Sequence, residues 1–225
     1  LNILAIETAS EACSVALSTP ERNLERYELT PRGHAEQVLP WVEELLSSAG
    51  LALPQLDAIA FSRGPGSFTS LRIGISVVQG LAWGAEVPVV PLSSLQIAAQ
   101  VAADTGAKAA LVALDARMGE VFAGVFRCDD LGIMRPVDSE RVCPPEQAAR
   151  LARPGLTGVG CGFARYAALS DCSGSLDNVL PDLWPRAAVM AALARDWLGS
   201  NQALPAFRAQ PVYLRDKVAK KQGAA

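Results

Sequence analysis

The residues best placed by type to do chemistry are a glycine-rich turn, one serine, one histidine and two carboxylates. The turn is Gly64-Pro65-Gly66-Ser67, which runs straight into an apolar stretch. A helix beginning there would aim free backbone N–H groups at an anion. A phosphate loop of the G-x-x-x-x-G-K-[ST] kind would need glycine and lysine where the chain has Thr69 and Ser70. The dinucleotide pattern G-x-G-x-x-G fits Gly64 and Gly66 but meets Thr69 in the third slot, and "GVGCGF" fails in the same way at Phe163. Both read as tight turns.

Ser62, in "AFSRG", resembles a nucleophile elbow with Ala60 in the first glycine slot. An elbow of that kind takes its base from later in the chain, and the single histidine, His34, lies earlier. An adventitious Ser-x-Gly at a strand end is the better reading. His34 could ligate a metal through "HAEQV", but Val38 stands where a second imidazole would be needed one turn on. The five cysteines show no C-x-x-C spacing, so they read as reduced thiols of a cytosolic protein and no metal site is expected. His34 is expected at a helix start or an interface.

The carboxylates Glu7 and Asp115 each close an apolar strand ahead of a short turn. A two-lobed phosphotransferase places acidic groups there to hold Mg²⁺ beside nucleotide phosphates. The turns are poorly equipped for that: "ETASEA" has hydroxyls but no glycine, and "DARMGE" puts Arg117 and Met118 in the bend. Weak nucleotide contact through Glu7, Ser10, Gly64, Gly66, Ser67 and Asp115 stands against solvated acidic strand ends, and the residues alone leave both open.

Positioning these groups needs a sizeable core, which 225 residues that are 50% hydrophobic and 19% charged can supply. A net charge of −3 argues against a stand-alone nucleic-acid binder; the basic cluster Arg215, Lys217, Lys220 and Lys221 reads as a solvated tail. The most apolar window is interrupted by Gln79, Glu86 and glycines, so no membrane span is expected. "NILAIET" and "ACSVALS" predict a hairpin, with a third strand at "RNLERYELT". Apolar spacing predicts a helix over 34–49 with Gly50 as its stop; Pro40 lies inside the pattern, so the helix is expected to kink there or to begin properly near it. "LDAIAF" predicts a strand, residues 68–84 a long helix, and "VPVVPL" another strand. Ser93 with Gln96 forms a capping-box pattern for a helix reaching about residue 103. A further helix over 185–198 would have Pro185 in its first turn and Gly199 as its stop.

The pattern then restarts: "LVALDARMGEVFAGVF" can be laid on "ILAIETASEACSVAL". This self-similarity predicts two related α/β lobes, residues 1–104 and 105–225, each opening with a hairpin and packed as one body, the tail of the second being free to pack back on the first. In the long helix, Gly74, Gly80 and Gly84 cost propensity, and Ser76, Gly80 and Gly84 share one face that would admit a partner helix closely.

Together "ILAIETASEACSVAL", "HAEQVLP", "GPGSFTSLRIGISVVQGLAWG", "PLSSL", "DARMGEVFAGVF" and "PVYLRDKVAKK" resemble the bacterial TsaB (YeaZ) family over nearly the whole chain. The resemblance implies the two-lobed fold shared by actin, hexokinase and Hsp70. It implies a non-catalytic subunit that, with a TsaD-like catalytic subunit and a TsaE-like ATPase, supports threonylcarbamoyl transfer. The acceptor is the adenosine beside the anticodon in tRNAs reading codons that start with adenine. It implies no catalytic residue and no cofactor of its own, ATP and Mg²⁺ being used by the complex, and contact with tRNA only through that complex. The family associates through its first two long helices, which places His34, Val38, Val42, Leu45, Phe68, Leu71, Ile73, Ser76, Val77, Gly80, Trp83 and Gly84 at the partner interface; a homodimer of the free chain through the same helices stays open. Glu7 replaces the aspartate more usual in the family, and Ser70 a common glycine. A stand-alone phosphotransferase and a Ser62 hydrolase are the rival readings.

Overall fold

The computed structural model describes residues 1–30 and 33–215; of the basic tail cluster only Arg215 falls within them. Strands β1 (Ile3–Glu7), β2 (Ala12–Ser18) and β3 (Asn23–Leu29) form the antiparallel start of a five-stranded sheet. Helix α1 (His34–Ala49) leads to β4 (Ala58–Gly64), helix α2 (Phe68–Ala85) to β5 (Val89–Ser93), and the two added strands run parallel to β1 in the order β3-β2-β1-β4-β5. Helix α3 (Ser94–Asp104) then crosses to the second lobe.

There β6 (Ala109–Asp115) and β7 (Val121–Cys128) repeat the opening hairpin, followed by short β8 (Met134–Pro136) and β9 (Arg141–Cys143), both paired to β7. After α4 (Pro145–Ala149) comes β10 (Thr157–Val159), then α5 (Gly162–Arg165), α6 (Ala167–Asp171) and β11 (Asn178–Leu180). Strands β10 and β11 are parallel to β6. Apart from the added β9, the six-stranded second sheet, β8-β7-β6-β10-β11, matches the order of the first, and the duplication read from the sequence is a duplication of topology. The result is a two-lobed α/β architecture built on two mixed sheets.

Burial follows strand alternation. Leu4, Ile6, Val15 and Phe61 face α1 and α2, meeting Val38, Val42, Ile75 and Val78. Ile3, Ala5, Ala60 and Val90 face the other way, onto α7 (Ala187–Ser200) through Ala187, Met190 and Ala194. Helix α7, late in the chain, thus covers the first sheet, and the two halves of the sequence interlock.

Three local expectations are corrected. Ser93 does cap α3, its Oγ accepting from Leu95 N and Gln96 N at 3.2 and 3.3 Å. The Gln96 side chain does not close a box; its Nε2 donates to Met134 O at 2.8 Å, a tertiary acceptor that competes with the local one. Helix α7 begins at Ala187 with extended Arg186 as its cap, so Pro185 stands before the helix and Gly199 lies within it. Pro40 sits inside α1, and the helix runs through it from His34.

Candidate partner face and inter-lobe cleft

The turn that looked like a phosphate cradle is a packing device. Ser67 caps α2, accepting from Ser70 N, and its own N–H donates to Ala9 O at 2.8 Å. A Cβ at Gly66 would lie 2.2 Å from that same Ala9 oxygen, and one at Gly74 would lie 2.2 Å from Thr8 Oγ1. Thr8 Oγ1 in turn donates to Ser70 O at 2.9 Å. Glycine at 66 and 74 lets the first turns of α2 press against the β1–β2 turn, which fixes the helix's entry angle. Gly64 takes positive φ at the end of β4 and lies outside the cleft lining.

Gly80 and Gly84 behave oppositely. Both are exposed, and a Cβ on either would meet nothing within 4 Å. With exposed Ser76 they form a bare strip along α2, flanked by half-buried Ile73, Val77 and Leu81. Trp83 is 72% exposed and Phe68 48%, while Leu39 on α1 is also 48% exposed. A shallow groove of about 510 Å³ between α1 and α2 is lined by Leu39, Pro40, Leu46, Leu53 and Leu81 among others. Large exposed aromatics beside a strip of small residues are the ingredients of an interface anchor.

Several residues expected on this face are not there. Val38, Val42, Leu45 and Leu71 are buried in the lobe's own core, because the apolar stripe that defined the helices in the sequence is the stripe that packs on the sheet. His34 is 2% exposed; its Nε2–H donates to Ser10 O at 3.1 Å and Ala12 O at 3.3 Å, tying the start of α1 to the β1–β2 turn. The outward positions are Phe68, Ile73, Ser76, Val77, Gly80, Trp83 and Gly84, joined by Leu39.

The second candidate site is the cleft between the lobes, about 360 Å³, lined by Ser10, Gly66, Ser67, Asp115, Arg117 and Arg165 among others. Glu7 is not part of it. The carboxyl is fully buried, its Oε1 accepts from Ala9 N at 2.6 Å, and its Oε2 lacks a partner of good geometry. Burial pushes its pKa up to about 7, against the pull of the Ala9 N–H and the Ser62 hydroxyl. A carboxyl fully buried under a layer of protein and bonded to the Ala9 N–H is not placed to ligate Mg²⁺ in the cleft. Ser62 is buried as well, at 3% exposure, and the one imidazole is committed to backbone carbonyls, so no nucleophile–base pair forms.

Asp115 does reach the cleft, but its oxygens are taken. Arg165 Nη1 donates at 2.6 Å, Tyr166 Oη at 2.7 Å and Arg117 N at 2.9 Å. Burial alone would raise its pKa; the Tyr166 hydroxyl, the Arg117 N–H and the Arg165 guanidinium overcome that and hold it below the ordinary carboxylate value. Arg165 Nη2 continues to Glu11 at 2.7 Å, across the cleft. Sequence reading missed Glu11, Arg165, Tyr166 and Arg215 here; the two arginines lie 154 and 204 positions from Glu11, and no local pattern links them. Among the described residues no group of three or more His, Cys, Asp or Glu converges as a metal site would require, and no helix is long and apolar enough to cross a membrane.

Comparison with known proteins gives the lineage. The family model for TsaD, tRNA N6-adenosine threonylcarbamoyltransferase, matches residues 27–160, more than half the chain. The tRNA threonylcarbamoyladenosine biosynthesis protein TsaB of Escherichia coli is 40% identical over 99% of this chain and 98% of its own length. TsaB of Haemophilus influenzae is 41% identical, over 97% and 95%. The solved structure of YeaZ from Pseudomonas aeruginosa superposes with a TM-score of 0.85 at 41% identity, covering 95% of this chain and 99% of that one. The chain belongs to the TsaB (YeaZ) family of tRNA threonylcarbamoyladenosine biosynthesis proteins.

Proposed function

We propose that this protein is a non-catalytic subunit in tRNA threonylcarbamoyladenosine synthesis that binds a TsaD-like catalytic subunit through the outward face of α2 and the adjoining edge of α1. The observation that carries the reading is the exposed small-residue strip Ser76–Gly80–Gly84 beside exposed Trp83 and Phe68. A partner helix can approach a strip of this kind closely, and the packing gained offsets the glycine propensity cost of roughly 1 kcal/mol per residue. The complex, with a TsaE-like ATPase, uses ATP and Mg²⁺, and meets tRNA mostly through the partners' surfaces.

The cleft favours the same reading over a phosphotransferase. Asp115 and Glu11 are both paired with Arg165, Tyr166 also donates to Asp115, and the other hairpin carboxyl, Glu7, is sealed beneath the surface outside the cleft. The test is calorimetric titration of the chain with the TsaD-like protein of the same organism, alongside a steady-state ATPase assay on the chain alone. One-to-one binding with no turnover supports the proposal. Failure to bind, or turnover lost with Asp115→Ala, overturns it.

A further inference from the structure

The hairpin tips of the two lobes, where a phosphotransferase of this fold would grip phosphate, are joined here by the chain's own side chains. From the first lobe, Glu11 in the β1–β2 turn accepts from Arg165 Nη2 at 2.7 Å and from Arg117 Nη2 at 3.4 Å. From the second, Arg165 divides its guanidinium between Glu11 and Asp115, and Tyr166 holds Asp115 from behind. The β6–β7 turn is bent toward this junction: Arg117 and Met118 both take positive φ, at 60° and 56°. Non-glycine residues rarely adopt that conformation, and two in succession persist only where surrounding contacts over-determine them.

The same turn is gripped a second time. After the 3-10 turn at Ala206–Arg208 the chain returns along the first lobe, Val212 N donating to Arg63 O at 2.7 Å and the Tyr213 ring lying 5.6 Å from that of Phe68. It then crosses to the second lobe, where Arg215 Nη2 donates to Glu120 Oε2 at 2.6 Å.

We propose that Glu11, Arg165 and Asp115, backed by Arg215 and Glu120, form a clasp that holds the two lobes closed without a ligand. An isolated exposed ion pair is worth little, but these pairs share atoms and hydrogen bonds, and a network of that kind is the case in which surface charges matter. The clasp also reaches α2. The β1–β2 turn that carries Glu11 is bonded to the start of α2 through Ser67 N to Ala9 O and Thr8 Oγ1 to Ser70 O. Closure therefore sets where Phe68 stands, and a subunit with no ligand-driven closing step presents its outward face ready formed.

The test is amide hydrogen exchange on the free full chain, comparing the native sequence with Glu11→Gln, Arg165→Gln and the double variant. At about 50 mM salt, each single change is expected to raise exchange about threefold or more at both residues 116–120 and residues 66–70, on opposite sides of the cleft, with the central strands unchanged. The double variant should exceed the larger single effect by little, because both changes break one junction. Native protein in about 1 M salt should move in the same direction, since Glu11 and Arg165 are partly exposed and screening reaches them. Exchange that rises only in the substituted lobe, effects that simply add, or no change overturns the clasp. Should Arg165→Gln fail to fold, Glu11→Gln breaks the same bridge from a surface turn and leaves the partners of Asp115 in place.

Discussion

Within α2, Gly80 and Gly74 should respond oppositely to a side chain. Replacing Gly80 by leucine removes the helix-propensity deficit of glycine, about 0.8–1 kcal/mol. The new Cβ meets nothing within 4 Å, so no overpacking cost is set against that gain. For a chain of this length, about 1 kcal/mol raises Tm by roughly 2–4 °C. Gly74→Ala gains the same propensity but drives its methyl to 2.2 Å from Thr8 Oγ1, which itself bonds Ser70 O. Displacing that contact should cost about 1–3 kcal/mol and lower Tm. Partner binding separates the two further. A leucine at 80 fills the strip a partner helix would occupy, so affinity for the TsaD-like protein should fall at least about tenfold, equivalent to about 1.4 kcal/mol. The assay pairs thermal melts at low concentration with calorimetric titration. A Gly80→Leu variant that melts higher and binds with native affinity would refute the interface assignment; one that melts lower would refute the reading of Gly80 as solvent-facing.

Trp83→Ala should leave Tm within about 1–2 °C, the ring being mostly exposed, yet weaken partner binding by about 2 kcal/mol or more if it is an anchor; matched melts and titrations check both. Glu7 sets a pH dependence. Folding raises its pKa from 4.5 to about 7, so the native state keeps a proton that the unfolded chain has released, and stability falls between about pH 4.5 and 7 before levelling. At 1.36 kcal/mol per unit the span is at most about 3 kcal/mol, and urea melts of Glu7→Gln should show a flatter profile across that window. Asp115 has the opposite sign: its pKa is lowered on folding, so its stabilisation is present above the ordinary value of 3.8 and is lost as pH falls further. Asp115→Asn should cost about 1–3 kcal/mol at neutral pH by urea melt.

Much of the architecture was legible in the residues. The hairpins at 3–18 and 109–128, the helices 34–49 and 68–85 and the repetition of one lobe by the other all follow from apolar period and turn chemistry, which are local. Of the short elements between 134 and 180, glycine spacing marked only the turn from β10 into α5; the rest left no such trace, because strands and helices of three to five residues are held by neighbours and not by their own pattern. The site divides along the same line. Glycine-rich spacing in α2 marked a helix with a bare strip, but which glycines face a partner and which face the chain itself depends on where the β1–β2 turn lies. Gly74 against Thr8 and Gly80 against solvent are six residues apart and indistinguishable in one dimension. Likewise Glu7 and Asp115 hold matching places in two similar hairpins. Only folding seals one in the core, where burial raises its pKa, and sets the other beside Arg165, which favours its charged form. Amino-acid order fixes a residue's intrinsic preference, whereas desolvation and charge pairing are properties of whatever the fold brings near it.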